Sequence, residues 1–375
     1  MPRALLAGAF GQGNLGDEAL LESFVHALPD WRIVATSPDA ATGVLHDCDT
    51  VRPQRPGAIA RELWRSDAVI VGGGTLFKTL HPATRRRPTA LLANASALVG
   101  AASVARTPVA LVGVGAGRVE TRVVRQLSRS VVRHADLLIL RDEDSATELS
   151  AAGVPGPFRV GADPAWTLLN PSEESSATGS HRVLVVPSGM AAGVDGSEGL
   201  LADLAAIVRA LRRAGAEVRL QPWQSVPADP FDDVALTRRL ARDLGDATEV
   251  LDPPCSLQSA VASMRGLGAV LTYRFHALVA AGAAAVPSVA VAHEHKLAAL
   301  ARRLGQRQVL PGEAPSAVAA AVIGALDGLA PARSVVHEEV ARAEEGFRLL
   351  RVFLGGGTLE EADTLGTLPL VPWVS

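Results

Sequence analysis

Two side chains suited to anion binding and proton transfer stand close together in the tetrapeptide YRFH at residues 273–276. Arg274 offers a planar fork of N–H donors for phosphate or carboxylate, and His276 can bind an anion or transfer a proton near neutral pH. An apolar run ends just before them and an alanine-rich helical pattern follows. A lone histidine is most often structural, but an arginine and a histidine together at a strand end favour an active site.

A second polar group, His293-Glu294-His295-Lys296, follows the next apolar run. Its two histidines have neither HExxH spacing nor a cysteine partner, so we predict no metal site. Either a histidine or Lys296 facing an anionic ligand is the favoured interpretation, and a plain helix start with solvated charges is the alternative.

The first glycine turn, Gly11-Gln12-Gly13-Asn14-Leu15-Gly16, matches the GxGxxG pattern of dinucleotide-binding proteins after a predicted strand. Asp17 and Glu18 follow it at the start of a helix, where carboxylates suit the helix dipole but would compete with a pyrophosphate. A dinucleotide site and a purely structural tight turn stay open as alternatives. We favour a loop whose exposed amides, around Gly13 and Asn14, meet the substrate.

Further candidate residues follow other apolar runs of the first half of the chain. Glycine turns at 72–74 and 113–117, which include Gly73, Gly74 and Gly115, allow a ligand to approach the backbone closely. Arg141 precedes an acidic helix start in which Asp142 is expected to be the N-cap. Asp163, before Pro164, either reaches the ligand crevice or forms a turn.

These residues need a scaffold of parallel strands, because ligand crevices in open parallel sheets lie beyond the carboxyl ends of the strands. Short apolar runs alternate with helical patterns throughout, which predicts two Rossmann-like doubly wound α/β domains facing an interdomain cleft. The predicted strands cover 4–10, 32–36, 68–73, 109–115, 137–142, 158–163, 182–188, 217–223, 268–274 and 287–293. The domains are expected at 1–170 and 181–334, separated by a serine-rich linker, with a C-terminal helix and tail at 335–375.

Composition narrows the function. The 375 residues carry a net charge of −3 and are 48% hydrophobic, which predicts a two-domain globular protein without the basic field that nucleic-acid binding needs. The two cysteines, Cys48 and Cys255, lack metal or disulfide spacing, which is typical of a reducing cytoplasm. We find no signal peptide and no uninterrupted membrane span, so we expect a cytoplasmic protein.

Taken in order, several motifs resemble those of polysaccharide pyruvyl transferases. They are GxGNxGDEAL (11–20), VGGGTL (71–76), GVGAG (113–117), LRDEDS (140–145), ADPA (162–165), RFHA (274–277), VPSVAVA (286–292) and Lys296. The resemblance implies a GT-B-like enzyme that transfers pyruvate from phosphoenolpyruvate to sugar hydroxyls as a ketal, without a cofactor or a catalytic metal. The chain departs from the family pattern at Phe77 and Lys78, at Arg118 and at residues 293–295.

The resemblance also implies roles for the candidate residues. Phosphoenolpyruvate is expected against Arg274, His276 and Lys296, with Arg141 as a further donor-binding residue, and with His276 and Arg274 as the catalytic pair. The acceptor or cleft side is expected at Gly13, Asn14, Asp17, Glu18, Gly73, Gly74, Gly115 and Asp163. The acceptor would be a cell-envelope polysaccharide or its precursor, which could be linked to a lipid.

Three other functions stay open from the sequence. A nucleotide-sugar glycosyltransferase of the same architecture would differ in the donor that it consumes. A binding protein of the periplasmic type also pairs two α/β domains, although no export signal is seen here. A dinucleotide oxidoreductase would be recognised by tight binding of NAD(P) or FAD.

Overall fold

A computed structural model describes residues 1–80, 87–171, 179–192, 197–226, 231–245, 248–357 and 368–371. The contacts divide the chain into two compact units. The first comprises Met1–Gln12, Asp17–Thr167 and Glu339–Ser375, and the second comprises Gly13–Gly16 and Leu168–Glu338. Most of the expected linker, residues 172–178, lies outside the described residues.

The strands follow the apolar runs of the sequence, with several shorter strands added between them. In chain order they are β1 (Arg3–Ala7), β2 (Arg32–Thr36), β3 (Asp49–Val51), β4 (Ala68–Gly72), β5 (Thr75–Phe77), β6 (Val109–Ala116), β7 (Leu137–Leu140), β8 (Phe158–Val160), β9 (Arg182–Val186), β10 (Glu217–Leu220), β11 (Glu249–Val250), β12 (Ala269–Thr272), β13 (Ser288–Val291), β14 (Arg307–Val309) and β15 (Leu370–Val371).

The helices alternate with these strands. They are α1 (Leu15–Ala27), α2 (Ala41–Leu45), α3 (Pro56–Leu63), α4 (Ala90–Ala105), α5 (Arg122–Arg133), α6 (Glu143–Ala151), α7 (Ser197–Arg213), α8 (Asp233–Leu244), α9 (Leu257–Met264), α10 (Phe275–Ala283), α11 (His295–Arg303), α12 (Pro315–Leu326) and α13 (Arg333–Leu354). None of the helices in the described ranges is both long and apolar enough to cross a membrane.

The first unit is built on a sheet in the order β15-β8-β7-β6-β4-β1-β2-β3, with β5 added to β6. Apart from the antiparallel edge strand β15, the pairs are parallel, as in the alignment of Leu5 with Val69. Every residue of β4 and β6 is buried, because a parallel sheet is covered on both faces. The strand order reverses between β1 and β4, which places the turns after these two strands at the switch point where ligands bind in such sheets.

The C-terminal segment, which was expected as a separate helix and tail, belongs by its contacts to the first unit from Glu339 onward. On α13, the Phe347 ring meets the Phe24 ring edge to face at 5.1 Å between centroids. Arg342 on the same helix donates a hydrogen bond to Glu143 at 2.8 Å. Residues of α13 therefore pack against the core of the first unit.

The second unit has a wholly parallel sheet in the order β11-β10-β9-β12-β13-β14. Apolar residues of its central strands, such as Val185, Leu271 and Val289, are fully buried in the core. The order reverses between β9 and β12, so the crevice expected for a ligand lies beyond the carboxyl ends of these two strands. Arg274 and His276 follow β12 directly.

Candidate active site

Arg274 lies at the switch point of the second unit, as the N-cap residue of α10. Its backbone is fixed by Thr272, whose Oγ1 accepts from the Arg274 amide at 2.9 Å and donates to the Arg274 carbonyl at 3.0 Å. The side chain of Arg274 makes no capping hydrogen bond, so the N-cap residue does not satisfy the first amides of this helix. A helix start of this kind attracts anions.

The Arg274 guanidinium is held along one edge. Its Nε donates to Asp233 Oδ2 at 2.9 Å, and its Nη2 donates to Asp233 Oδ1 at 2.6 Å and to Gln224 Oε1 at 2.7 Å. Within the described residues these three bonds use Nε and Nη2 alone, so the two N–H groups of Nη1 remain for a ligand. The side chain is 12% exposed, which makes that contact accessible.

Asp233, which the sequence analysis did not single out, is the centre of this arrangement. It is the first residue of α8, its side chain is fully buried, and it accepts hydrogen bonds from three backbone amides as well as from Arg274. Those amides belong to Gly189 (2.9 Å), Gln224 (3.1 Å) and Trp223 (3.4 Å). One carboxylate thus ties the loops after β9 and β10 to the arginine after β12.

His276 lies in the first turn of α10, with its ring edge-on to Phe275 at 5.1 Å between centroids. The backbone of Gly16 also approaches the imidazole. A Cβ on Gly16 would stand 1.9 Å from His276 Nδ1, so only glycine fits there. The third glycine of the GxGxxG pattern is therefore explained by packing against the candidate histidine.

Residues 13–15 of the loop also pack within the second unit, to which they belong. The Ser225 amide donates to the Gly13 carbonyl at 2.9 Å, and the Leu15 amide donates to the Trp223 carbonyl at 3.3 Å. Asn14 forms an antiparallel backbone bridge with Gln224. Gly13 has a φ of +66° and passes so close to Ser225 that a Cβ would lie 2.0 Å from its carbonyl oxygen. Gly13 and Asn14, expected on the acceptor side of the N-terminal domain, are thus grouped with the second unit.

Several amides of this turn already have acceptors inside the protein. The Gly16 amide donates to Asn14 Oδ1 at 3.2 Å, and the Gly11 amide donates to Glu18 Oε1 at 2.7 Å. With the Leu15 amide bound to the Trp223 carbonyl, three amides of this turn have acceptors inside the protein and are not available to a substrate. Exposed amides around Gly13 and Asn14 stay a prediction.

Lys296 lies on α11, and its Nζ stands 5.9 Å from the centre of the Phe275 ring at the start of α10. The ammonium forms an ion pair with Glu294 at 2.9 Å. His293 is partly buried, and burial lowers its pKa below the ordinary value of about 6.5, which favours the neutral ring at neutral pH. Lys296 is therefore brought to the neighbourhood of the Arg274 and His276 segment, whereas His293 does not supply positive charge.

In the first unit, Arg141 is buried beneath the third glycine turn. Its Nε donates to Asp142 at 3.0 Å, and a Cβ on Gly115 would lie 2.5 Å from its Nη2. Asp142 caps α6 through the Ser145 amide at 2.7 Å. Burial alone would raise the pKa of Asp142, but Arg141 and the bonds from Ser145 outweigh it, so that pKa is lowered.

The predicted acidic residues of the first unit have differing surroundings. Glu18 accepts from the Gly11 amide and from His46 Nε2 at 3.1 Å, so both of its oxygens are engaged inside the unit. Asp17 lies beside it in the first turn of α1. Asp163 is buried and accepts from the Ala165 amide at 3.1 Å, which is the turn alternative of the sequence analysis.

Two further glycines of the first unit, Gly73 and Gly74, follow β4 at its switch point. A Cβ on Gly73 would meet Leu20 at 2.5 Å, whereas a Cβ on Gly74 would meet no atom within 4 Å. Packing therefore explains Gly73, and Gly74 borders open space. Across the described ranges, no group of three or more histidine, cysteine, aspartate or glutamate residues could hold a metal ion.

Solved structures that are similar to this chain include two UDP-GlcNAc 2-epimerases and a protein bound to UDP-glucose. UDP-GlcNAc 2-epimerase from Methanocaldococcus jannaschii, in complex with UDP-GlcNAc and UDP, has a TM-score of 0.62 and 14% identity over 95% of this chain and 100% of its own. UDP-GlcNAc 2-epimerase from Neisseria meningitidis, bound to UDP-GlcNAc, has a TM-score of 0.58 and 10% identity over 95% of this chain and 100% of its own. Anabaena HepE, in complex with UDP-glucose, has a TM-score of 0.55 and 13% identity over 97% and 99%.

At these identities the likeness establishes the fold, which is the GT-B fold of two Rossmann-like units that the sequence predicted. No curated protein matches the sequence significantly. The family model described as polysaccharide pyruvyl transferase matches residues 14–295, a stretch that includes the loop around Asn14, Arg141, Asp163, and the segment with Arg274 and His276. Because this match spans more than half of the sequence, the chain belongs to the polysaccharide pyruvyl transferase family.

Proposed function

We propose that the protein transfers the pyruvyl group of phosphoenolpyruvate to a sugar, forming a ketal. The observation that carries the proposal is the segment at the switch point of the second unit. There Arg274 keeps the N–H groups of Nη1 for a ligand, α10 begins without a side-chain cap, and His276 lies in its first turn. Membership of the family supports the same chemistry.

The charges around this segment favour a small anionic donor. Asp233 balances Arg274 and Glu294 balances Lys296, so much of the attraction for a phosphate or carboxylate has to come from oriented N–H groups. Nη1 of Arg274 and the first amides of α10 are such groups. Phosphoenolpyruvate carries a phosphate and a carboxylate on adjacent atoms, which suits a compact cluster of donors.

The reaction balances without a cofactor. Two hydroxyl oxygens of one sugar each form a bond to the central carbon of phosphoenolpyruvate, whose bond to the phosphate oxygen breaks. The two hydroxyls lose two protons in all. One is balanced by the proton that the methylene carbon gains when it becomes a methyl group, and the other leaves with phosphate. No net oxidation occurs, so the chemistry requires no dinucleotide.

His276 is the proposed acid and base, because an imidazole can give a proton to the methylene carbon and take one from a hydroxyl at near-neutral pH. Arg274 would stabilise the charge that develops on the departing phosphate. Lys296 is proposed as a further donor-binding residue. The roles that the sequence implied for Arg141 and Asp17 stay predictions, and Glu18 suits contact with an acceptor less well, because both of its oxygens are engaged.

A nucleotide-sugar donor is the second candidate. Two epimerases and HepE, which share the fold, were solved with UDP or a UDP-sugar bound. A thermal-shift panel with phosphoenolpyruvate, UDP-sugars, NAD(P) and FAD distinguishes these ligands, since a ligand that binds the folded state raises the melting temperature. Stabilisation by phosphoenolpyruvate alone is the result expected from the proposal.

The decisive variants are Arg274→Lys and His276→Ala. We expect each to abolish steady-state release of phosphate from phosphoenolpyruvate in the presence of saccharide acceptors, because lysine cannot form the two-edged contacts of Arg274 and alanine cannot transfer a proton. Arg182→Lys, at the amino end of β9, is the matched control and should keep the wild-type rate. Near-normal turnover by both site variants, with unchanged circular dichroism, would contradict the assignment.

A further inference from the structure

We propose that Asp233 is the positioning residue of the active site, which holds the Arg274 guanidinium so that Nη1 alone meets the anionic donor. The inference rests on the proposed function for the nature of that donor. It concerns a residue that touches neither donor nor acceptor but acts through Arg274.

The first support is the number of donors that converge on one buried carboxylate. Asp233 accepts from Nε and Nη2 of Arg274 and from the amides of Gly189, Trp223 and Gln224. A carboxylate has about four lone-pair sites, so these contacts saturate it. A saturated and fully buried Asp233 cannot act as a base or bind a ligand, which leaves positioning as its role.

The second support is the origin of those donors. They come from the loops after β9, β10 and β12, three neighbouring strands of the sheet, and the switch point lies between β9 and β12. Asp233 therefore fixes the arginine relative to the surrounding backbone, and Gln224 adds a further acceptor at 2.7 Å from Nη2. With Nε and Nη2 bound in this way, rotation of the guanidinium would break several hydrogen bonds at once.

Asparagine is the sharpest replacement, because it has nearly the same shape. The amide nitrogen of asparagine is a donor, and it would face the Arg274 guanidinium or backbone amides, which are also donors. At least one of the hydrogen bonds that Asp233 accepts is therefore lost. We expect Asp233→Asn to raise the dissociation constant for phosphoenolpyruvate about 30-fold, within the range of interaction energies between contacting residues. Asp232→Asn is the matched control, because it makes the same charge change at the preceding residue, the N-cap of α8. Asparagine caps a helix as well as aspartate does.

A double-mutant cycle separates positioning from general support of the fold. In the Arg274→Ala background, we expect Asp233→Asn to change the dissociation constant for phosphoenolpyruvate less than about 3-fold, because its effect passes through Arg274. In that background the same change should also raise the melting temperature, since it removes a buried charge that has lost its cation. Equal losses of affinity in both backgrounds would overturn the inference.

A second readout needs no donor at all. Phenylglyoxal modifies accessible arginines, and the modified positions can be mapped by mass spectrometry. Asp233→Asn should speed modification of Arg274 while Arg182 and Arg219 keep their wild-type rates. If Asp233→Asn does not fold, Gln224→Leu removes one acceptor of Arg274 without touching Asp233, and a smaller acceleration is expected; an unchanged rate at Arg274 overturns the inference.

Different results contradict the proposed donor and the positioning role of Asp233. If the wild-type protein binds a UDP-sugar and not phosphoenolpyruvate, the proposed donor is wrong, and the cycle is run with that UDP-sugar. Coupling between Asp233 and Arg274 in that cycle, together with faster modification of Arg274, would still support the positioning role. Binding of phosphoenolpyruvate with additive losses would contradict the positioning role alone.

Discussion

At the scale of single residues, the cations of the candidate sites are each accompanied by a carboxylate. Arg274 pairs with Asp233, Lys296 with Glu294, and Arg141 with Asp142. The three pairs differ in burial, and this determines their consequences. The buried pair of Arg274 fixes geometry, whereas the pair of Lys296 is a quarter to a third exposed and can open when an anion arrives.

Opening of the Lys296 pair is tested by Glu294→Gln. Removing the competing carboxylate should lower the dissociation constant for phosphoenolpyruvate about 2- to 3-fold, a modest gain because exposed ion pairs contribute little. Isothermal titration calorimetry measures the change, and Glu217→Gln, at the amino end of β10, is the matched control. A weaker affinity in Glu294→Gln would show that Glu294 supports the donor site instead.

Residue types and positions allowed Arg274, His276 and Lys296 to be predicted as a group from the sequence, because each follows an apolar run. Asp233 could not be found in this way. It stands 41 positions before Arg274, next to the helix-capping Asp232, and looks like an ordinary helix start. Asp233 and Arg274 come together only in the folded chain, so the role of Asp233 depends on a contact between residues far apart in the sequence.

At the scale of elements, the apolar runs predicted ten of the described strands, and five short strands were missed. The strands that the sequence did not indicate are β3, β5, β11, β14 and β15. β11 consists of Glu249 and Val250, both exposed, and β14 begins with two exposed residues. Such strands lack an apolar pattern because pairing with a neighbour, and not burial, defines them.

The start of α1, where Gly16 lies, allows a prediction at the scale of elements to be tested. Gly16→Ala would place a Cβ against the His276 ring, so we expect it to lower the free energy of unfolding by about 1–3 kcal/mol, as overpacking does, and to abolish phosphate release. Chemical denaturation and the phosphate assay measure the two effects. Gly199→Ala on α7, where a Cβ meets nothing within 4 Å, should keep the rate of phosphate release and should not lower the free energy of unfolding. Full activity of Gly16→Ala would show that the ring of His276 can move without consequence.

At the scale of the whole molecule, each unit has its own sheet with a reversal of strand order, which the alternation of strands and helices predicted. The exchange of segments was not predictable. Residues 13–16 group with the second unit and residues 339–375 with the first, through contacts between positions far apart in the chain. Local sequence patterns contain no information about such contacts. The sequence-based prediction therefore assigned each segment to a domain from its position along the chain.

The pH dependence of stability follows from His293. Burial lowers its pKa in the folded state below the ordinary value of about 6.5, so the unfolded chain takes up a proton first as the pH falls. The free energy of unfolding should therefore decrease below about pH 6.5, and His293→Gln should make that decrease smaller. Urea unfolding at several pH values measures this, with the exposed His337→Gln as control. An unchanged pH dependence in His293→Gln would contradict the assignment.

The most direct measurement is product analysis after incubation of the wild-type protein with phosphoenolpyruvate and saccharide acceptors, both free and lipid-linked. Mass spectrometry should show an acceptor that has gained pyruvate less one water, with one phosphate released for each pyruvyl group, and neither product should form with Arg274→Lys or His276→Ala. Consumption of a nucleotide-sugar with phosphoenolpyruvate left intact would contradict the proposed function.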